Sequence, residues 1–313
     1  MDEVAVLIPT LRRPESLERA LRSVFAQAGV GERLREIVVA DNDPDGSAWP
    51  TVDRLRACSP TLLTYVHVPR PGVATARNAA LAAADAPLIA FLDDDEEASP
   101  GWLAALLEAH ARFGADVTFG PVRGRVPDGT GWAAAYLERF FSRSGPAESG
   151  PIDHAYGCGN SLMVRATALP GPTPFDTSAD QTGGEDDVLF EALRARGGRF
   201  VWAADAWVDE HAPAHRATLA YALRRAFAYG QTPCQTAARA RDWAGVAKWM
   251  AVGTAQALIY GIAALLLTLA NSPRRADLMD RAAQGLGKLF WIRRFEPRFY
   301  GAAALRPVSA SVG

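Results

Sequence analysis

Five consecutive acidic residues, 93–97, form the part of the sequence best suited to bind a cation. They directly follow the apolar run 88–92, so the first of them stand at the end of a predicted buried strand. Adjacent carboxylates repel one another unless a cation or solvent screens their charge. Hard oxygen ligands suit Mg²⁺ or Mn²⁺, which commonly hold substrate phosphates as well. We therefore expect Asp93 and Asp95 to take part in metal and nucleotide binding.

The alternative for this acidic run is a structural role. Acidic side chains are favourable in the first turn of a helix, and a helix is predicted from residue 100 to residue 113. We assign Glu96 and Glu97 to the solvated start of that helix. The position of Asp93 and Asp95 favours binding, because ligands of open α/β sheets lie at the carboxyl ends of strands.

A second acidic group, Glu185-Asp186-Asp187, follows two glycines and begins a predicted helix. Glycine lets the backbone approach a ligand closely. A carboxylate fixed at a helix N-terminus is well placed to take a proton from a hydroxyl group. One of these acids is therefore a candidate general base, and capping of the helix is the alternative role for them.

Both acidic groups belong to a region with an α/β pattern. Short apolar runs alternate there with amphipathic segments, and the connections are short. This order predicts a mostly parallel, Rossmann-like sheet with helices on both faces. Strands are predicted at 4–8, 36–40, 62–68, 88–92, 160–164, 199–202 and 206–208, with further short strands within 116–126. Helices are predicted at 14–27, 72–84, 100–113 and 185–196, and over most of 213–290.

The charges of the chain are unevenly distributed. Residues 1–211 hold 19 Lys and Arg and 31 Asp and Glu, whereas residues 212–313 hold 14 and 4. The basic part also contains 249–270, a run of 22 uncharged residues that is long enough to span a bilayer. A basic and apolar region favours an anionic membrane surface over nucleic acid as its partner. We expect an α/β domain at 1–212 and a mainly helical, membrane-associating region at 213–313.

The apolar segment is flanked by positive residues on both sides, which gives no orientation for a single span. We prefer a helix that lies in the membrane interface, or a shallow re-entrant hairpin, with both ends cytoplasmic. A buried helix packed on the α/β domain is the alternative. The acidic N-terminus lacks the features of a secretory signal. The three cysteines show no disulfide or zinc spacing, which fits a reducing compartment.

Lysine usage argues against several enzyme classes. The two lysines are Lys248 and Lys288, so no G-x-x-x-x-G-K-[ST] phosphate loop is present. A phosphatase with a D-x-D nucleophile would normally need a lysine in its catalytic domain to balance the phosphate charge. No G-x-G-x-x-G follows the first strand, which argues against a dinucleotide-dependent oxidoreductase.

The ordered set of motifs resembles family 2 glycosyltransferases, which have the GT-A fold. The resemblance extends over about residues 4–211, and it is specific because the motifs occur in the family's order. It is carried by Ile8-Pro9-Thr10, Asp41-Asn42-Asp43, the G-x-x-x-A-R-N segment 72–78, Leu92-Asp93-Asp94-Asp95, Gly159-Asn160-Ser161, Phe175-Asp176 and the E-D-x-x-L segment 185–189. Residues 183–186 and 224–231 are similar to bacterial members that assemble succinoglycan-type exopolysaccharides.

The resemblance implies a nucleotide site at the ends of the first two strands. Pro9, Thr10 and Asp41 would hold the nucleotide base and ribose. A second acid of that site would be Asp43 or Asp45, and the spacing does not decide between them.

The resemblance also implies roles for the residues around the metal. Arg77 would shape the nucleotide pocket, Asp93 would contact ribose or metal, and Asp94 would belong to the nucleotide contacts. Asp95 and His211 would bind Mn²⁺ or Mg²⁺. A lone histidine is more often structural, and the matching position raises His211 above that expectation.

The reaction that follows from the resemblance is an inverting transfer of one sugar. Asp186 would deprotonate an acceptor hydroxyl, and that oxygen would attack the anomeric carbon opposite the nucleotide, while a metal stabilises the departing diphosphate. The donor would be a nucleotide-sugar, by default a UDP-sugar. The Q-x-x-R-W signature of processive synthases does not occur.

The acceptor implied by the resemblance is an undecaprenyl-type lipid-linked sugar or a saccharide, used in cell-surface or exopolysaccharide biosynthesis. The enzyme would then lie at the cytoplasmic face of the bacterial inner membrane, as a peripheral or monotopic protein. The alternative function is a non-catalytic, membrane-associated nucleotide-binding scaffold of a polysaccharide-assembly complex.

Overall fold

The computed structural model describes residues 2–180, 183–297 and 299. The chain divides into two compact units. The first takes in the residues up to Arg123 together with Ser142–His211, and the second takes in Gly124–Phe141 and the residues from 212 to 297. The sequence pattern does not predict that Gly124–Phe141 belongs to the second unit. The domain division at residue 212 stays a prediction.

Strands and helices alternate through the first part of the chain. In chain order they are β1 (Val4–Thr10), α1 (Pro14–Phe25), β2 (Leu34–Asp41), α2 (Trp49–Arg56), β3 (Leu62–His67), α3 (Val73–Ala83), β4 (Leu88–Phe91), β5 (Glu96–Ala98), α4 (Trp102–Phe113), β6 (Val117–Phe119) and β7 (Val122–Arg125). The remaining elements are α5 (Ala134–Phe141), β8 (Gly150–Ile152), β9 (Ser161–Val164), α6 (Arg165–Ala168), α7 (Glu185–Ala195), β10 (Phe200–Trp202), β11 (Val208–His211), α8 (Leu219–Arg239), α9 (Trp243–Leu269) and α10 (Arg275–Leu289).

The main sheet has eight strands in the order β3-β2-β1-β4-β9-β6-β10-β8. β1 pairs in parallel with β2 and β4, β2 pairs in parallel with β3, and β6 pairs in parallel with β10. β9 is antiparallel to β4 and β6, and β8 is antiparallel to β10. All strands except β8 and β9 therefore run in one direction, and the predicted mostly parallel sheet is confirmed.

Both faces of this sheet are covered by helices, which explains why its central strands are apolar throughout. Successive strand residues point to opposite faces. Val4, Val6 and Ile8 of β1 pack in one core with the apolar side of α1. Ala5 and Leu7 pack in a second core with the alanines of α3.

A smaller sheet has the strand order β5-β11-β7. β5 and β11 are antiparallel, and Glu96 lies opposite Glu210. The backbone nitrogen of His211 donates to the carbonyl of Asp95 at 2.8 Å. This pairing brings the end of β11 beside the acidic run that follows β4. The sequence pattern does not predict β5.

The second unit is helical, and glycines bring its helices into close contact. A Cβ atom on Gly253 of α9 would lie 2.6 Å from Cβ of Lys288 and 2.7 Å from the carbonyl oxygen of Gly285, both on α10. A Cβ on Gly285 would lie 2.6 Å from the backbone nitrogen of Ala257 on α9. These distances are far below normal contacts, so the two helices can approach this closely only where no side chain intervenes.

Candidate active site

Asp41 and the acidic run that begins at Asp93 lie on either side of β1, at the carboxyl edge of the sheet. Asp41 ends β2 and lies opposite Thr10, the last residue of β1. Residues 93–95 follow β4, which is the neighbour of β1 on the other side. Ligands of open α/β sheets bind at this edge.

Arg77 connects three parts of this region. Its side chain projects from α3, is 6% exposed, and donates to Asp93 after β4 at 3.3 Å and to Glu185 at the start of α7. Burial raises the pKa of the Glu185 carboxyl, and the positive charge of Arg77 opposes that shift. Glu185 Oε2 is buried and has no hydrogen-bond partner among the described residues. The Asp93 side chain is 36% exposed, so it keeps a solvent-facing surface.

Asp186 lies in the first turn of α7, directly after Glu185. Its Oδ2 accepts a hydrogen bond from the backbone nitrogen of Cys158 at 3.0 Å, and its Oδ1 accepts from the backbone nitrogen of Asp187 at 3.0 Å. The residue is partly exposed, whereas Glu185 is buried. The carboxylate is thus held in one orientation, in a residue that is only partly buried.

The loop at 157–160 reaches the acidic cluster because it contains glycine. A Cβ on Gly159 would lie 2.5 Å from Asp93 Oδ2, and one on Gly157 would lie 2.6 Å from Arg143 Nη1. A side chain at either position would displace a charged group of the site. The sequence motif Gly-Asn-Ser at 159–161 is therefore explained by close approach of the backbone.

Asn160 anchors the end of this loop. It has a positive φ of 55°, a conformation that asparagine tolerates better than most residues. Its Nδ2 donates to the carbonyls of Pro121 and Ala206 at 2.7 and 2.9 Å, and its Oδ1 accepts from Trp102 Nε1 at 2.7 Å. Asn160 thus fixes the loop from within the core, a role that the motif alone does not reveal.

The sequence-based assignment of Glu96 to a solvated helix start is wrong. Glu96 begins β5 and is 1% exposed. Its Oε1 accepts from Arg143 Nη2 at 3.0 Å and its Oε2 accepts from the backbone nitrogen of Asp93 at 3.0 Å. Burial and the charge of Asp93 raise the pKa of Glu96 well above its ordinary value, and Arg143 opposes this shift. The spacing of acids could not show this, because the partner lies 47 residues away.

Arg13 is another residue of the site that the sequence motifs do not single out. Its Nη1 lies 2.8 Å from Asp94 Oδ1 and 2.6 Å from Asp95 Oδ2. Thr10 Oγ1 donates to Asp94 Oδ2 at 2.8 Å. These contacts join the end of β1 to the acidic run, and the Asp94 side chain points into the protein. Pro9, one residue earlier, is a partly buried strand residue.

Asp41 is buried, and its side chain is fully engaged in organising the loop after β2. Its Oδ1 accepts from the backbone nitrogen of Asp43 at 3.1 Å. Its Oδ2 accepts from the backbone nitrogen of Ala48 at 2.8 Å and from Tyr65 Oη at 2.9 Å. Asp41 thus shapes the loop instead of presenting a free carboxylate.

Asp43 and Asp45 lie in that loop and share one arginine. Arg12 Nε donates to Asp43 Oδ1 at 3.0 Å, and Arg12 Nη2 donates to Asp45 Oδ2 at 2.9 Å. Asp43 is 1% exposed, whereas the Asp45 side chain is 78% exposed. Burial alone would raise the pKa of the Asp43 carboxyl, but hydrogen bonds from Ser47, the Asp45 backbone and Arg12 outweigh it, so the pKa lies below its usual range.

The two predicted metal ligands are neighbours through their backbones, but their side chains have different partners. Asp95 contacts Arg13, whereas His211 Nε2 lies 2.9 Å from Glu97 Oε2. Within the described ranges, no group of three or more His, Cys, Asp or Glu side chains has the arrangement of a metal site. The carboxylate of Asp95 is a donor that suits Mn²⁺ or Mg²⁺, whereas the imidazole of His211 is a donor more typical of transition metals.

Sequence comparison relates the chain to known glycosyltransferases. The model of the Glycosyl transferase family 2 matches residues 5–169. The chain is 39% identical over 225 residues to the succinoglycan biosynthesis protein ExoM of Rhizobium meliloti (strain 1021), and this alignment covers 71% of each chain. It is 30% identical over 250 residues to the pre-mycofactocin glycosyltransferase of Mycobacterium tuberculosis (strain H37Rv), and this alignment covers 77% of this chain and 48% of the relative.

Solved structures with a similar fold confirm the predicted GT-A architecture. The mannosyltransferase PcManGT from Pyrobaculum calidifontis, in complex with GDP-Man and Mn²⁺, superposes with a TM-score of 0.61 at 19% identity over 93% of this chain and 87% of that one. S. aureus TarS 1–349 in complex with UDP-GlcNAc superposes with a TM-score of 0.53 at 16% identity over 67% of this chain and 59% of that one. The family match over more than half of the chain, together with the identity to ExoM, shows that the chain belongs to glycosyl transferase family 2, as an exopolysaccharide-type sugar-transferring enzyme.

Proposed function

We propose that the chain is an inverting, metal-dependent glycosyltransferase that moves one sugar from a nucleotide-diphosphate donor to a hydroxyl group of a lipid-linked or saccharide acceptor. The observation that carries the proposal is the convergence of α3, α7 and the end of β4 on Arg77, which contacts Glu185 and Asp93. This contact fixes the start of α7, and with it Asp186, near the predicted nucleotide-binding edge.

Asp186 is the proposed general base. Two backbone N–H groups orient its carboxylate, and the residue remains partly exposed. Glu185 suits this role less well, because it is buried and pairs with Arg77. An inverting transfer needs one base to take the proton of the acceptor hydroxyl while that oxygen attacks the anomeric carbon.

The donor is assigned to the carboxyl edge of β1, β2 and β4. Pro9 and Thr10 end β1, and the loop held by Asp41 and Asp43 borders the same edge. The complexes of TarS with UDP-GlcNAc and of PcManGT with GDP-Man support a nucleotide-sugar as the donor class. We propose a uridine nucleotide, because the family resemblance favours it. Asp93, with its exposed side chain, would contact the ribose or the metal.

Asp95 and His211 are the proposed ligands of Mn²⁺ or Mg²⁺, with Asp94 holding Arg13 beside them. The carboxylate of Asp95 suits such a cation, and the backbone hydrogen bond between the two residues keeps His211 adjacent to it. The Mn²⁺ of the PcManGT complex is in accord with this class of metal. A bound metal would supply positive charge that stabilises the departing diphosphate.

A membrane location is proposed from α9. Of the helices in the described residues, α9 alone is long and apolar enough to cross a bilayer, judged by length and composition. Leu258, Ile262 and Leu269 on this helix are 59%, 60% and 78% exposed. Apolar surface of this kind is costly in water and favourable in lipid. We propose that α9 lies at the cytoplasmic face of the bacterial inner membrane, where a lipid-linked acceptor would be found.

The sharpest test of the proposed reaction is Asp186→Asn. The purified chain should hydrolyse or transfer from one member of a nucleotide-sugar panel when Mn²⁺ and a membrane extract are present. Loss of a general base typically costs about 10²–10⁴-fold in rate. We therefore expect turnover to fall by that factor while the nucleotide still binds with unchanged affinity, measured by calorimetry.

The matched control is Asp187→Asn, which removes the same charge at the next residue of α7, which is exposed. It should retain turnover within about threefold, as expected for a substitution away from the reacting atoms. If Asp186→Asn were fully active, or if no nucleotide-sugar of the panel were used with or without metal, a non-catalytic nucleotide-binding scaffold would be the better description.

A further inference from the structure

The helices α8, α9 and α10 of the second unit pack with small and polar residues between them. The largest apolar side chain that they bury is that of Val246, and every leucine, isoleucine and phenylalanine on them is at least partly exposed. The buried residues are Ala222, Ala226, Gly230, Gln231 and Cys234 on α8, Val246, Gly253 and Ala264 on α9, and Arg275, Ala276, Gly285, Gly287 and Lys288 on α10.

This packing is the reverse of that of α4 in the first unit, which buries Trp102, Leu103, Leu106 and Leu107. In water, the burial of large apolar side chains stabilises helix packing. In lipid it does not, because acyl chains are as apolar as leucine, and helices there meet through small residues that let their backbones approach. The packing of α8, α9 and α10 therefore indicates lipid on one side of these helices.

The exposed leucines and isoleucines of α9 form one continuous face. At about 100° per residue, they fall within an arc of about 120° around the helix. This apolar face of α9 consists of Leu258, Ile259, Ile262, Leu265, Leu266 and Leu269. The buried residues Val246, Gly253 and Ala264 lie on the opposite side of the helix. One side of α9 is thus covered by protein, and the other side is available to lipid.

Charged residues of α10 lie beside the middle of α9. Arg281 Nη1 donates to Tyr260 Oη at 3.3 Å, and a Cβ on Gly253 would lie 2.6 Å from Cβ of Lys288. Tyr260 stands at the centre of the uncharged run 249–270. If α9 spanned a bilayer with a core about 30 Å thick, Arg281 would lie about 15 Å from either surface, where a charge is costly. α9 is also one continuous helix, which leaves no turn for a re-entrant hairpin.

Basic residues flank the apolar face of α9. Exposed Arg239, Arg241 and Lys248 precede it, and exposed Arg274 follows it. By its helical position, Lys248 lies on the same side of α9 as the apolar face. Residues 212–313 hold 14 Lys and Arg and 4 Asp and Glu. This charge attracts anionic lipid headgroups, and it would repel a second copy of the same region.

We infer that α9 lies parallel to the surface of an anionic lipid bilayer. Its apolar face enters the outer acyl region, Lys248 meets the headgroups, and α10 stays on the side away from the lipid. A helix of this kind is buried by about 5–10 Å. The inference deepens the proposed membrane location and rests on it, but it does not depend on sugar transfer.

Spin labels on the full chain test this orientation. The background is Cys58→Ser, because Cys58 is the exposed cysteine and the other two are buried. The chain is bound to vesicles that contain phosphatidylglycerol, and the collision rates with oxygen and with a water-soluble nickel chelate give the depth of each nitroxide. The labels are attached one at a time through Leu258→Cys, Ile262→Cys, Leu265→Cys and Leu269→Cys.

All four labels should lie within about 5 Å of one depth, as expected for a helix in the plane of the interface. A spanning helix would instead separate residues 258 and 269 by about 16 Å along the membrane normal, at a rise of 1.5 Å per residue. That gradient would overturn the inference and leave the membrane location intact. Labels that stay in water beside the vesicles would overturn both. Labels already shielded without vesicles would show that a second copy covers the face, which also overturns the inference.

Co-sedimentation with vesicles measures the contribution of single residues. Ile262→Gln should weaken binding by about tenfold, because a large apolar side chain no longer enters the lipid. Leu62→Gln on β3 is the matched control, since Leu62 is 63% exposed and Ile262 is 60% exposed, and it should bind like the wild type. Circular dichroism checks that both variants fold.

Lys248→Gln tests the choice of anionic lipid. It should weaken binding to vesicles with phosphatidylglycerol by about fivefold and leave binding to pure phosphatidylcholine unchanged. The inference fails if Ile262→Gln and Lys248→Gln both bind like the wild type. Depth and binding are measured without donor or acceptor, so a failure of the proposed reaction in the Asp186→Asn test would leave these results unaffected.

Discussion

The two units of the chain bring distant segments together by different means. In the first unit, charged side chains do so: Arg77 contacts Glu185 across 108 residues, and Arg143 contacts Glu96. In the second unit, α9 and α10 meet where Gly253 and Gly285 remove side chains from the contact.

These two kinds of contact respond differently to single substitutions. Removing one partner of a buried ion pair leaves an uncompensated charge, which is costly even where the pair itself contributes little. A glycine contact holds no charge, but any added atom collides with the neighbouring backbone. The stability that the ionic contacts provide therefore depends on charge and pH. The stability that the contact between α9 and α10 provides depends on the volume of the side chains placed there.

The largest effect is expected from Arg77→Met in the first unit. It leaves Glu185 buried without its cation and Asp93 without a partner from α3. Breaking a buried pair in this way costs about 3–5 kcal/mol. The free energy of unfolding in urea at pH 7 should fall by that amount. The double variant Arg77→Met with Glu185→Gln should recover a large part of the loss, because no buried charge remains.

Arg54→Met is the control for this substitution. Arg54 pairs with Glu18 at 2.7 Å on the surface, where its side chain is 54% exposed. Exposed pairs contribute little because solvent screens them, so this variant should leave the free energy of unfolding almost unchanged. Equal losses for Arg54→Met and Arg77→Met would break the distinction between a buried ionic contact and an ordinary surface pair.

The same contrast explains how much of the candidate site could be predicted from the sequence. Asp93 and Asp186 were predictable because each follows directly from local patterns, the end of an apolar strand and the start of a helix. Their roles in the reaction stay predictions. Glu96 was assigned wrongly because its burial depends on Arg143, and no local pattern encodes that distant pairing.

The fold was predictable to a similar extent. The parallel strands β1, β2 and β4 contain continuous apolar runs that are read directly from the sequence. The short strands β5 and β8 have three residues each, too few for a period to emerge. The grouping of Gly124–Phe141 with the second unit depends on tertiary contacts, which composition and periodicity do not reveal.

Two alanine substitutions with opposite expected effects on stability test the glycine contact of the second unit. Both effects are smaller than that of Arg77→Met. Gly253→Ala should destabilise the chain by about 1–3 kcal/mol, because the added Cβ would lie 2.6 Å from Lys288 Cβ. Gly261→Ala is the matched control on the same helix, with no atom within 4 Å of the added Cβ. It should stabilise by about 0.5–1 kcal/mol through helix propensity. Thermal unfolding in detergent should separate the two variants, and a common direction of change would contradict the close-contact explanation.

The smallest effect concerns pH and the loop after β2. Because hydrogen bonds hold the pKa of Asp43 below its usual value, its charge stabilises the fold above about pH 4, where the unfolded carboxyl is also ionised. That stabilisation is lost as the pH falls through the depressed pKa of the folded state. Asp43→Asn should therefore cost about 1 kcal/mol at pH 7 and progressively less on acidification.

Urea unfolding of the wild type and Asp43→Asn from pH 7 down to pH 3 measures this difference. Gly253→Ala serves as the comparison, since its steric cost should stay constant over the same range. If the difference in unfolding free energy between the wild type and Asp43→Asn did not change with pH, the amide would disturb only the packing or geometry of the loop. The charge of Asp43 would then contribute nothing to stability. If the difference in unfolding free energy from the wild type becomes smaller on acidification for Asp43→Asn but not for Gly253→Ala, the ionic contacts of the first unit depend on protonation. The glycine contact of the second unit does not.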